Sequence, residues 1–330
     1  MQHPKVISLK NTNGIVVQLS TYGATLLSLE VPDRNGVSTN MVVGLDKPEA
    51  YQEDSYVKHE LYLGSTIGRY AGRIAKGAFE IDGQHYPISH QNGVHLHGGK
   101  TGFDKKHWTV ERVNTDKNPS VTFSYLSTDL EEGYPGNLEA RVTYTLTETN
   151  ALRIVHEAVT DKATYINLTN HAYFNLEGNG SVTAHELYVN ATHYLEVKDN
   201  LIPTGTLIPV VGSRFDFTSV EKIGRDDFIG FDDTFVLNVS DATDLKASLY
   251  SALTGIAMEV YTDQPAMVIY TPPVFPHLPF KKNAVYTKFP AICFETQHFP
   301  DAPHHSHFPS TLLQPGSVYR NENRFQFSCA

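Results

Sequence analysis

Cysteine is scarce in this 330-residue chain: there are two, Cys293 and Cys329, and neither sits in a C-x-x-C pair. Secreted domains held together by disulfides are far denser in cysteine, so the expected compartment is a reducing cytoplasm. Basic residues are also outnumbered. Lys and Arg total 26 against 36 Asp and Glu, a formal net charge of −10. A nucleic-acid surface needs a basic stripe, which is missing here, so no nucleic-acid partner is expected. No apolar run is long enough to cross a bilayer, and Met1-Gln2-His3-Pro4-Lys5 leads into no signal-like apolar region. No membrane association is expected. The chain also lacks a G-x-S-x-G elbow, a P-loop and a G-x-G-x-x-G turn, which leaves serine-hydrolase chemistry and nucleotide binding without support.

Helical stripes, linkers, charge blocks and fixed-period repeats are missing as well. Instead, short strand-type runs end in turn residues along the whole length. Leu26 to Val31 stops at Pro32-Asp33-Arg34-Asn35-Gly36, where proline sets φ and Asn-Gly accepts positive φ. Phe79 to Ile81, Asp82-Gly83 and Tyr86 to Ile88 read as a hairpin. So do Leu245 to Tyr250 and Ala257 to Tyr261 around Leu253-Thr254-Gly255. Ser120 to Leu126, Glu139 to Leu146 and Ala151 to Ala158 read as a meander. Ala266 to Thr271 is apolar enough for a buried strand. The pattern predicts an all-β fold: one large antiparallel β-sandwich domain over residues 1–330, with few short helices, one of them near Pro48 to Glu53.

Five segments are dense in chemistry. Arg69 and Arg73 stand four apart among glycines. Either can present guanidinium donors to sugar hydroxyls or bond loop carbonyls structurally. In Val94-His95-Leu96-His97-Gly98-Gly99, a strand would send both imidazoles to one face, as ligand contacts, structural groups or metal ligands. His171 lies among amides, hydroxyls and aromatics in Asn167 to Leu176, a setting for a positioned acid or base. Glu295 ends the apolar run from Ala291. Burial there would raise its pKa and suit it as a base, and an ion pair with Arg73 is the alternative. Asp232, in Gly230-Phe231-Asp232-Asp233, is either a hydroxyl acceptor or an Asx-turn residue. His304-His305-Ser306-His307 reads as a solvated loop rather than a metal cluster.

Together these segments resemble the aldose 1-epimerase (galactose mutarotase) family. The matching pieces run from Tyr22-Gly23-Ala24 to Pro315-Gly316 and Tyr319. They include Gly68-Arg69 to Ile74, His95 to Gly99, Glu132-Gly133-Tyr134-Pro135-Gly136, Thr169-Asn170-His171 to Leu176, Phe215-Asp216-Phe217 and Glu295-Thr296-Gln297-His298-Phe299-Pro300-Asp301. The resemblance covers essentially the whole chain, and the order and number of the pieces make it specific. It implies interconversion of α and β anomers of free hexoses such as galactose and glucose. It also implies a mutarotase sandwich, a small-molecule sugar substrate, no cofactor and no metal, in a monomer or homodimer. By the same resemblance Glu295 is the general base, His171 the general acid, and His97 a neighbour of the ring oxygen; a nearby carboxylate would hold a charge on His171. Arg73 and Asp232 bind sugar hydroxyls. Two positions depart from the family: Gly72, where many members have asparagine, and Val268, on a strand where many have glutamine. A phosphosugar epimerase, a non-catalytic sugar-binding module and a metalloenzyme using His95, His97, His171 and Glu295 are the competing readings.

Overall fold

The computed structural model describes residues 2–225, 228–238 and 243–330. Every strand pairing between its named strands is antiparallel. The largest sheet has nine strands, in the order Thr109–Asn114, Ser120–Ser127, Leu138–Leu146, Ala151–Thr160, Tyr319–Cys329, Ile256–Thr262, Ala247–Tyr250, Glu186–Val189 and Glu221–Lys222. A six-stranded sheet runs Tyr173–Phe174, Ile292–Gln297, Ala266–Tyr270, Asp232–Leu237, Ala191–Val197 and Pro203–Pro209. A four-stranded N-terminal sheet, Val6–Lys10 through Ser38–Asn40, completes the main framework.

The expected meander and hairpins are present. At the tip of the Ala78–Ile81 and Gln84–Pro87 hairpin, Asp82 and Gly83 have φ of 51° and 78°, the double positive φ of a tight two-residue turn. Near Pro48 the chain makes a 3-10 turn, Pro48–Gln52, followed by one α-turn, Asp54–Val57.

Alternation builds the core. Along Leu138–Leu146 the residues at even positions, from Leu138 to Leu146, are buried while most of their neighbours are not. Phe174 of the six-stranded sheet packs on Phe325 of the nine-stranded sheet with ring centroids 5.1 Å apart. One apolar cluster runs from Leu9 to Phe327 and draws on all three sheets. A fully buried side chain of this kind contributes about 1.5–3 kcal/mol.

Ile292–Gln297 breaks the alternation, because all six of its residues are buried. Ile292 and Phe294 enter the central core. The alternate residues Cys293, Glu295 and Gln297 point to the opposite face. That second face, covered by other chain segments, forms the site.

Candidate active site

Three adjacent strands supply the floor of a cavity of about 170 Å³. Glu295 is paired in register with Val268, Val268 with Thr234, and Tyr270 with Asp232. With a period of two, these side chains and Gln297 share one face, and all of them line the cavity.

His171 follows the short strand Thr169–Asn170 and precedes Tyr173–Phe174. Its ring is stacked between Tyr173, at 4.9 Å and 20°, and Tyr62, at 5.7 Å and 26°. This sandwich fixes the imidazole plane and directs Nε2 to within 3.4 Å of Glu295 Oε1. On the other side of the ring, Cys293 Sγ lies 3.6 Å from Nδ1. Glu295 and His171 are 2% and 3% exposed, and Glu295 Oε2 has no hydrogen-bond partner.

Burial dominates the electrostatics of this pair. It pushes the Glu295 carboxyl up to about 8; Asp232 adds to the rise and Arg73 opposes it. Burial also pushes His171 down to about 3. A neighbouring carboxylate was expected to hold a charge on His171. Desolvation overrides that attraction, because it penalises the charged form of both partners. The pair therefore carries one proton, resting on Glu295. Passing it to His171 yields carboxylate and imidazolium with no change in proton count.

The two imidazoles of the His-x-His segment separate. The strand ends at Leu96, and His97 takes a left-handed φ of 48°, so the two-residue alternation fails there. His95 is buried and structural: Nδ1 bonds the Ser89 carbonyl at 2.6 Å and Nε2 the Tyr134 hydroxyl at 2.7 Å. His97 lines the cavity, 5.3 Å from the His171 ring. Burial first, then the positive potential of His171 and Arg73, hold it well below the usual imidazole range. Its Nδ1 accepts the Gly72 N–H at 3.2 Å. The neutral ring must then carry its proton on Nε2, which becomes a donor.

The two arginines also divide. Arg69 is 2% exposed and structural. It donates to the carbonyls of Pro135 (3.0 Å), Gly136 (3.1 Å), Ser127 and Thr128 (both 3.2 Å) and to the Ser127 hydroxyl. Arg73 lines the cavity and pairs with Asp232 at 3.4 Å, with both side chains partly open to solvent. Asp232 begins a strand and does not cap a turn. Its neighbour Asp233 accepts the Asp232 N–H instead, at 3.0 Å. Burial raises the Asp232 carboxyl, and Arg73 works against that.

Gly72 has φ +79°, and a Cβ there would come within 3.1 Å of Gln297 Nε2 and of Pro300. His304 and His305 are not a freely solvated run. Both are half-buried and contact the Asp301 carboxylate at 2.6 and 3.5 Å. Asp301 also accepts the Ala75 N–H at 2.9 Å, and its own N–H donates to the Arg73 carbonyl at 2.7 Å. The segment thus braces the short strand Arg73–Ile74.

Reasoning from sequence missed three groups. Tyr62 and Tyr173 clamp His171, and Gln297 holds a buried Oε1 without a partner in the cavity wall. The position of Gln297, two after Glu295 on a strand, was a readable signal. The contacts of Tyr62 depend on the folded chain and left none. One further grouping follows from the geometry. His97, His171 and Glu295 each present a donor atom, all within 4.8 Å of one another, a set that suits a divalent ion as well as a proton relay. His95 is not part of it.

An antiparallel sandwich with a buried carboxyl–imidazole pair lining a hollow of about 170 Å³ has the groups that acid–base chemistry on a small polar ligand requires. Comparison with known proteins gives the family. The aldose 1-epimerase family profile matches residues 5–326. The chain is 40% identical over 322 residues to galactose mutarotase from Homo sapiens, covering 95% of this chain and 91% of that protein. It is 36% identical over 337 residues to aldose 1-epimerase from Escherichia coli strain K12, covering 98% and 95%. The crystal structure of the GalM/aldose epimerase homologue from C. elegans superposes with a TM-score of 0.90 at 32% identity, over 99% of both chains. The chain belongs to the aldose 1-epimerase family and is an isomerase that interconverts the anomers of sugars. No helix among the described residues is long and apolar enough to cross a membrane.

Proposed function

We propose that the substrates are free aldohexoses, galactose and glucose among them, and that Glu295 and His171 open and reclose the ring. The single observation behind this reading is the 3.4 Å approach of His171 Nε2 to Glu295 Oε1 inside a cavity of about 170 Å³. In the first step, Glu295, as carboxylate, takes the proton from the anomeric hydroxyl. The O1 electrons form the C1 carbonyl as the C1–O5 bond breaks, and O5 receives the proton on His171 Nε2. Rotation about C1–C2 offers the other carbonyl face, and the two transfers run backwards. Each well-placed acid or base contributes about 100- to 10,000-fold in rate.

His97, neutral with its proton on Nε2, supplies a fixed donor for the ring oxygen as negative charge grows there. Arg73 and Asp232 form a charged pair that holds hydroxyls farther round the ring. The reaction needs only proton movement, so we propose that no metal or cofactor takes part. All the proposed groups come from one chain, which suits a single domain acting as monomer or homodimer. The two free thiols accord with a cytoplasmic setting.

The test is the rate of anomer exchange on galactose, glucose, xylose and glucose 6-phosphate. Free hexoses should be accelerated strongly and the phosphosugar roughly 100-fold less. Lys281 and Lys282 are occupied by Gln18 and Glu30 away from the cavity, and Lys105, beside Tyr62, and Lys106 are paired with Asp104 and Glu131. A preference for the phosphosugar would overturn the reading.

A further inference from the structure

Strand register states what lies beside the proton-transfer pair. Val268 is directly opposite Glu295 on one side and Thr234 on the other. Directly opposed residues bring their Cβ atoms to ~4.5–5.5 Å. His171 lies on the other flank of Glu295. It is two residues before Tyr173, whose strand pairs with Ile292–Gln297 along the edge away from Ala266–Tyr270. Glu295 therefore stands between His171 and Val268.

An aldopyranose has two ring atoms next to C1: O5 and C2. With O1 over Glu295 and O5 toward His171, ring closure puts C2 on the Val268 side. The valine side chain offers that carbon no hydrogen-bond partner. Gly72 offers it no side chain, and its N–H is already given to His97. Gln297 stands ~7 Å along the strand from Glu295, and its amide NH₂ donates to the His298 carbonyl at 3.3 Å. Thr234 and the Arg73–Asp232 pair lie beyond Val268, under more distant hydroxyls.

We propose that Val268 makes this enzyme indifferent to the C2 hydroxyl, so that 2-deoxyaldohexoses are substrates comparable to their parents. The inference rests on the roles given above to Glu295 and His171. A site built around a hydroxyl rejects the analogue lacking it by about 10⁴–10⁵, whereas an apolar contact discriminates weakly.

The experiment compares galactose with 2-deoxygalactose, each kcat/KM divided by that sugar's spontaneous mutarotation rate. The two accelerations should agree within about tenfold. A deficit of tenfold or more for 2-deoxygalactose, with galactose active, overturns this inference and leaves the catalytic pair standing. Failure to accelerate either sugar removes the catalytic pair and this inference with it. Val268→Gln, with folding checked by circular dichroism, should open a gap of at least about tenfold in favour of galactose. Val268→Thr, nearly isosteric, should open a smaller gap of the same sign. Both sugars being handled alike by both folded variants also counts against the proposal.

Discussion

His171 Nε2 faces Glu295 Oε1 across 3.4 Å, and the side chains are 4% and 3% exposed. Burial has moved their affinities in opposite directions, so between about pH 3 and pH 8 the pair holds one proton. A single proton shared by a carboxyl and an imidazole is the inventory that ring opening consumes and restores.

The pH dependence follows. We expect kcat/KM to hold level below about pH 8 and to fall above it, as the pair loses its proton. Stability carries the same signature. The folded Glu295 keeps a proton up to about 8, whereas the unfolded group releases it near 4.5. Its contribution is full below 4.5 and is lost as pH rises through 8. His171 contributes oppositely, losing stability as pH falls from 6.5 toward 3. Glu295→Gln should therefore gain Tm relative to the parent between pH 5 and pH 8. A constant Tm difference over that range would contradict the buried-acid assignment.

Arg73 and Asp232 act on Glu295 with opposite signs, Arg73 lowering its pKa and Asp232 raising it. Arg73→Ala should move the alkaline limb of the pH profile up, and Asp232→Asn should move it down. Each should also reduce kcat/KM by about 10- to 100-fold through loss of a charged hydrogen bond to substrate. Limbs that stay in place in both variants would separate these residues from the pair.

The two arginines should behave as opposites. Arg69→Ala strands several buried carbonyls and should destabilise the fold by about 3–5 kcal/mol, read by urea unfolding. Arg69→Lys should rescue little of this, because an ammonium cannot span the same fork of acceptors. Arg73→Ala should shift stability by less than about 1 kcal/mol, since its ion pair is partly solvent-exposed. The reverse ranking would exchange their roles.

The His97, His171 and Glu295 donor set makes a chelator experiment informative. Anomer exchange should be unchanged after dialysis against EDTA. Loss of activity with recovery on adding a divalent ion would replace the proton relay with metal-assisted chemistry.

Much of this arrangement was legible before any coordinates. Turn residues such as Asp82-Gly83 marked the hairpins, and short strand-type runs marked Glu139 to Leu146 as one strand of a meander. Glu295 stood out because a carboxylate at the end of an apolar strand must be partly buried. What escaped was set by backbone geometry and by contacts distant in sequence. His97 left the face of His95 because its φ is positive, which alternation does not anticipate. Which arginine was structural depended on carbonyls near Ser127 and Pro135, far along the chain. The charge on His171 was misjudged because attraction to a carboxylate is visible in a motif, whereas the competing desolvation is a property of the folded packing.

The most direct test is polarimetry on freshly dissolved α-galactose with Glu295→Gln. The variant should lose about 100- to 10,000-fold in catalysed exchange while galactose binding stays within about tenfold of the parent. Exchange at a near-parental rate in a folded variant would remove Glu295 from the proton path and contradict the central claim.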